Sequence, residues 1–195
     1  MATTPDEKPP TSRFLNVGCG PHLASGWINT DVIETEEIRP DLVVSMENPF
    51  PFEKGSFDRA YVGHVIEHMP WHSLPEWLDQ LSSVLSPTAE VMFVGPDALR
   101  AIEGYRLDRT KWEEMLAIIE NVTSYHGGEE RWDEDRHQWN CSEKRVADLL
   151  ISCGWKNVEQ KGVATGGLLP NLGDWPVVSQ ARCQFAVSAN PPQFD

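Results

Sequence analysis

Gly18-Cys19-Gly20 follows the apolar stretch RFLNV at 13–17 directly. Glycine lets a chain turn sharply and, lacking a Cβ, lets the backbone approach a ligand closely. A plain strand-ending turn uses the same residues, so the glycines alone decide little. Asp31, near the end of WINTDV at 27–32, adds to them. An aspartate that closes the second strand beside a glycine loop is placed to accept both hydroxyl protons of a ribose. A dinucleotide fingerprint needs GxGxxG, a helix, and the acid about 20 residues further on. Here Leu23 stands at the third glycine position and Asp31 follows too closely for a full crossover helix. The dinucleotide reading fails on spacing.

His64, Glu67 and His68 form the second constellation. At i, i+3 and i+4 they share a face if a helix begins there. The order H-x-x-E-H is also that of a metal triad, but a third ligand at diagnostic spacing is missing, so no metal is expected. A histidine tuned near neutral pH can instead take a proton from an acceptor. His64, His68, His126 and His137 qualify by type; nearness to the glycine loop favours the first two.

Elements that position these residues follow from periodicity. Strands are expected at 13–17, 27–32, 40–46, 56–65 and 90–95, with two more near 156–163 and 181–189. Leu74, Trp77, Leu78, Leu81, Val84 and Leu85 recur at helical spacing. Pro75 suits the first turn of that helix, and Ser86-Pro87 ends it. A long helix is predicted over 98–120, with Trp112, Met115, Leu116 and Ile119 on one face. Ser142 can cap a further helix over 143–153, ended by Gly154. Strands alternating with helices imply an α/β fold, a parallel sheet with helices on its faces. Its ligand crevice lies outside the carboxyl ends of the strands.

Composition narrows the partners. Thirty acidic against 16 basic side chains leave a formal charge of −14. The densest charge run, EERWDED at 129–135, is acidic, so binding of naked nucleic acid, which calls for a clustered basic face, is not expected. No apolar run approaches the length of a membrane span. Residues 1–12 read as a disordered leader without a secretory core. Cys19, Cys141, Cys153 and Cys183 lack CxxC spacing and fit reduced thiols of a cytoplasmic protein.

LNVGCGPHLASGWINTDV, PFPFEKGSFDRAYVGHVIEHM and EVMFVGPD together resemble the class I S-adenosylmethionine-dependent methyltransferases. The likeness is to the compact subgroup with a shortened first helix, patterned as glycine loop, GW-x-N-x-D, PF-x-x-x-SFD and H-x-x-EH. It covers 13–97, and 137–160 more loosely through HQWNCSEKRVADLLISCGW. The resemblance implies one methyltransferase domain over 13–190, a Rossmann-like three-layer α/β sandwich whose mostly parallel sheet has an antiparallel C-terminal strand and helices on both faces, with an acceptor-side insertion at 98–139. It implies S-adenosylmethionine as cofactor: Gly18, Cys19 and Gly20 along its methionine part, Asp31 on the ribose, and Val32 near the adenine. Met46 and Glu47 would also meet the adenine, and His64 and Val65 would face the sulfonium. Met46 stands where the family often has aspartate, and Thr88-Ala89 where it usually has paired glycines. The function implied is methyl transfer to an oxygen or nitrogen of a small molecule, with His64 or His68 as base. A methyltransferase of macromolecules (protein, nucleic acid or glycan) and a non-catalytic cofactor-binding protein are the alternatives.

Overall fold

The computed structural model describes residues 13–109, 111–120, 137–164, 168–176 and 182–192. The 1–12 leader, the acidic run 129–135 and His126 lie outside them. Seven strands form one sheet in the order β3-β2-β1-β4-β5-β7-β6. They are β1 (Phe14–Val17), β2 (Ile28–Asp31), β3 (Leu42–Val43), β4 (Phe57–Gly63), β5 (Leu85–Pro96), β6 (Lys156–Gln160) and β7 (Gln184–Asn190). The first five run parallel, and β7 is antiparallel to both neighbours. Among the described residues, four α-helices accompany them: α1 (Leu74–Val84), α2 (Ala98–Arg106), α3 (Trp112–Glu120) and α4 (Glu143–Ser152).

Strand alternation divides the core between the two faces. Leu15, Ile28, Ala60, Val62, Val91, Phe93, Phe185 and Val187 point to one face, where Leu78 and Leu81 of α1 and Val146 and Leu150 of α4 cover them. Tyr61, Met92, Val94 and Ala186 point to the other and pack on Leu169 and Trp175, with Trp27 and Leu172 alongside. Because β4, β5 and β7 are covered on both faces, they read as nearly continuous apolar runs.

The chain departs from the expected elements in three places. The single helix over 98–120 is two: the break comes at Asp108, in the left-handed region at φ 55°, which aspartate tolerates better than most residues. The third strand shrinks from 40–46 to Leu42–Val43. The fifth begins at Leu85, directly after α1, with a register shift between Phe57↔Leu85 and Arg59↔Glu90 that takes the chain past Pro87. Helix α4 matches its expected bounds to one residue. Ser142 accepts from the Arg145 N–H, and Gly154 leaves the helix at φ 81°.

β1 and β2 are parallel neighbours joined by only ten residues, 18–27, without a helix. Such a connection ordinarily takes a dozen residues or more. Side-chain hydrogen bonds substitute for the helix. Trp27, Asn29 and Asp31 alternate onto the loop side of β2. Buried Asn29 accepts from Asn16 Nδ2 (3.0 Å) and from the Ala24 N–H (2.7 Å), and its own Nδ2 donates to Asp41 Oδ2 (3.0 Å). The Asn29 backbone N–H donates to the same oxygen (2.8 Å). Trp27 stacks between Phe14 and Trp175.

Asn29→Ala strands several of these groups at once, each costing roughly 1–3 kcal/mol when buried and unpaired. The expected loss is about 2–4 kcal/mol in urea unfolding, whereas Leu23→Ala in the same connection, half exposed, should stay within about 0.5 kcal/mol. Equal losses in the two variants would contradict the role given to Asn29.

Candidate functional site

The carboxyl ends of β1, β2 and β4 converge on the glycine turn. Gly18 sits at φ 67°, and a Cβ there would come within 2.3 Å of Val65 Cγ2. Both the backbone angle and the packing call for glycine at this position. Gly20, at φ 52°, has nothing within 4 Å of where a Cβ would be, so the turn is open on its outer side. Cys19 between them is buried and turned inward, and its N–H donates to the Thr30 carbonyl (3.0 Å). Burial, with Asp31 beside it, pushes the Cys19 thiol up to about 12. A thiol that holds its proton is no nucleophile; what the turn offers a ligand is backbone.

Asp31 ties that turn to β2. Its Oδ2 accepts the Gly20 N–H (2.8 Å), and its Oδ1 accepts the Val32 N–H (2.8 Å) and, at longer range, the Ile33 N–H (3.4 Å). A carboxylate has about four acceptor positions, so Asp31, with three N–H contacts of which one is long, keeps capacity for a further donor. Turn and carboxylate are therefore compatible with a hydroxyl-bearing ligand. Val32 is exposed beside Asp31. Met46 packs at the edge of the main core, and Glu47 is exposed, its N–H donating to Ser45 Oγ (3.2 Å). Val65 is buried beneath Gly18 rather than open to the crevice.

Beyond β4 the chain bends away from the sheet at His64, which takes φ 56°. A left-handed histidine is uncommon outside glycine-like turns and persists only where its surroundings hold it. The bend leads into a 3₁₀ turn, Ile66–His68, anchored by buried Ile66 and Met69. Glu67 is thereby drawn fully inside, at 0% exposure. His64 is half exposed: its Nδ1 lies 3.3 Å from Glu67 Oε1, and the Gln184 side-chain N–H donates to its Nε2 (3.0 Å). His68 is mostly buried, with Nε2 3.9 Å from the same carboxylate oxygen. Burial alone would raise the Glu67 carboxyl. The contact with His64 and the fields of His68 and His137 outweigh it and hold the group below its ordinary value. Burial pulls His137 down.

Contributors from distant sequence complete the surroundings. Asp97, at the end of β5, accepts from the Arg100 N–H (3.1 Å) and the Glu143 N–H (3.0 Å), so one carboxylate serves the first turns of α2 and α4. Arg100 bridges to Glu143 (2.6 Å) and to the Gln184 carbonyl. The Gln138 N–H donates to the Glu67 carbonyl (2.7 Å), and Trp139 Nε1 to the Ile66 carbonyl (2.8 Å). Sequence reasoning assigned no role to Asn29, Asp97 or Gln184; for Asn29 the signal was its own place in GW-x-N-x-D. Of the other histidines named from sequence, His137 arrives beside His68, with ring centroids 5.1 Å apart. Two clefts lie away from this region: one lined by Pro75, Asp79, Cys153 and Trp155, the other, about 550 Å³, by Tyr105, Arg109, Trp112 and Arg182.

No protein-family model matches the sequence, and no curated protein matches it. Solved structures do match in shape. A SAM-dependent methyltransferase from Methanosarcina mazei superposes with TM-score 0.57 at 17% identity, over 92% of each chain. A possible histamine N-methyltransferase from Thermotoga maritima gives 0.52 at 13%, over 93% of this chain and 83% of that one. DhpI in complex with SAH gives 0.51 at 13%, over 92% and 76%. Strand order, the antiparallel β7 and these neighbours agree: the chain has the class I, Rossmann-like fold of the S-adenosylmethionine-dependent methyltransferases.

Proposed function

We propose that this chain binds S-adenosylmethionine at the Gly18–Gly20 turn and transfers its methyl group to an oxygen or nitrogen of a small molecule. The observation that carries the proposal is Asp31, which braces the glycine turn through Oδ2 and the chain after β2 through Oδ1, and whose carboxylate retains acceptor capacity for a ribose hydroxyl. In this reading the backbone of 18–20 runs along the methionine part of the cofactor. Val32, Met46 and Glu47 line the adenine side, and Val65 supports the turn from below. The cofactor supplies an activated methyl on a sulfonium; the protein supplies orientation and charge placement. Holding the acceptor atom in line accounts for most of what a protein can add to such a displacement.

His64 is the histidine we place against the acceptor. It lies half exposed at the end of β4, and its Nε2 is held by the Gln184 amide until an acceptor displaces that contact. His68, turned inward on Glu67, acts as a positioning residue. The 98–139 insertion, of which α2, α3 and residues 137–139 are described, forms the acceptor side in this reading.

Two variants of Asp31 separate ligand binding from bracing. Asp31→Ala removes both, so S-adenosylhomocysteine affinity should fall on the order of a hundredfold, given roughly 1.5–3 kcal/mol for each charge-assisted hydrogen bond lost, and the melting temperature should fall with it. Asp31→Asn keeps one brace and should recover most of the stability but little of the affinity. Unchanged affinity by calorimetry in Asp31→Ala rejects the assignment. For His64→Gln, single-turnover methylation across a panel of small amines, phenols and carboxylic acids should slow by roughly 10²–10⁴-fold with cofactor affinity near wild type. Wild-type turnover in that variant would remove His64 from the reaction.

A further inference from the structure

Local spacing around His64-x-x-Glu67-His68 lacks a third metal ligand, and the fold brings one in. His137, 69 residues beyond His68 in the chain, is pinned beside the 3₁₀ turn by the Gln138 and Trp139 hydrogen bonds to the Glu67 and Ile66 carbonyls. One ligand atom each from Glu67, His68 and His137 then lies within 4.8 Å of the other two. We propose that these three side chains bind a divalent transition-metal ion, zinc in the first instance, at the carboxyl end of β4.

Three observations besides proximity point to a ligand. Neither oxygen of the fully buried Glu67 meets a hydrogen-bond donor in good geometry, and neither does the buried Nδ1 of His68. Buried charges are ordinarily paired or coordinate metals; the nearest group, His64 Nδ1 at 3.3 Å, is misaligned. The Nδ1 of His137 donates to the Ile119 carbonyl (3.3 Å), which fixes the tautomer whose Nε2 carries the lone pair a metal would need. A carbonyl or carboxylate behind the ligating imidazole is the usual support in such sites. Gly95 lies against the carboxylate: a Cβ there would come within 2.9 Å of the Phe185 ring and 3.3 Å of Glu67 Oε2.

The donor set suits the ion. Two imidazoles and a carboxylate make a three-ligand zinc site that keeps a fourth position for water or substrate. Zinc–nitrogen and zinc–oxygen bonds of about 2.0–2.2 Å space tetrahedral ligands about 3.4 Å apart. Closing from the observed separations is therefore a matter of side-chain rotation within the pinned backbone. Hard cations such as magnesium prefer all-oxygen sets.

The inference stands apart from the methyl-transfer reading and is tested without it. Chelator-stripped full-length protein is titrated with Zn²⁺ by calorimetry and with Co²⁺ by visible absorption. Wild type should take up one equivalent, with Co²⁺ developing the intense bands of a low-coordinate site, and its melting temperature should rise on metal addition. His137→Gln and Glu67→Gln should each weaken Zn²⁺ binding at least a hundredfold. Circular dichroism of the metal-free variants checks folding. Should Glu67→Gln fail to fold, His137→Gln alone decides, since its ring is only part-buried. Absence of stoichiometric metal uptake by wild type, or equal uptake by His137→Gln, overturns the proposal and leaves the cluster a buried carboxylate–histidine ion pair. S-adenosylhomocysteine calorimetry on the same preparations keeps a failure of this site distinct from a failure of cofactor binding.

Discussion

A parallel strand pair closed by ten residues without a helix is the constraint on which the first half of the molecule depends. With too little chain for a helical crossover, the loop between β1 and β2 has to find its hydrogen bonds in side chains. Asn29 supplies them at the base of the loop, and Asp31 at its tip. The two are spaced by two residues, so strand alternation aims both at the loop. What results is a glycine turn held in one conformation before any ligand arrives, at the sheet edge where α/β proteins bind theirs. In the proposed reading, bracing and binding share one carboxylate, which makes the arrangement fragile.

The second half is organised around a buried negative charge. Glu67 enters the interior because His64 adopts a left-handed backbone and Ile66 and Met69 anchor the turn. The same turn then receives the 137–139 segment through two backbone-directed hydrogen bonds. Arg145 lies over both Trp71 and Trp139, whose rings meet edge to face at 4.7 Å. Through Asp97 and Arg100, β5, α2, α4 and β7 are joined at that edge of the sheet. This region, the acceptor side in the proposed reading, is thus assembled from residues far apart in sequence, around charges that need one another to be buried.

This division explains what was legible from the residues alone. The glycine turn, Asp31 and the strands that carry them lie within a short stretch, where period-two alternation and turn chemistry speak directly. Helices α1 and α4 announced themselves through apolar spacing, Pro75, Ser142 and Gly154. The break at Asp108 was not legible, because the apolar face of 98–120 continues across it and an aspartate is only a weak breaker. Nor was the convergence of His137 on Glu67 and His68, since spacing along the chain carries no information about a contact set by hydrogen bonds from Gln138 to Glu67 and from Trp139 to Ile66, the latter 73 residues apart.

The most direct measurement is calorimetric titration of the wild-type chain with S-adenosylhomocysteine and, in parallel, with NAD⁺. A turn of this length, braced by an aspartate only eleven residues beyond Gly20, should bind S-adenosylhomocysteine saturably at one site per chain and give no heat with NAD⁺. Silence with S-adenosylhomocysteine, or binding of the dinucleotide instead, would contradict the account.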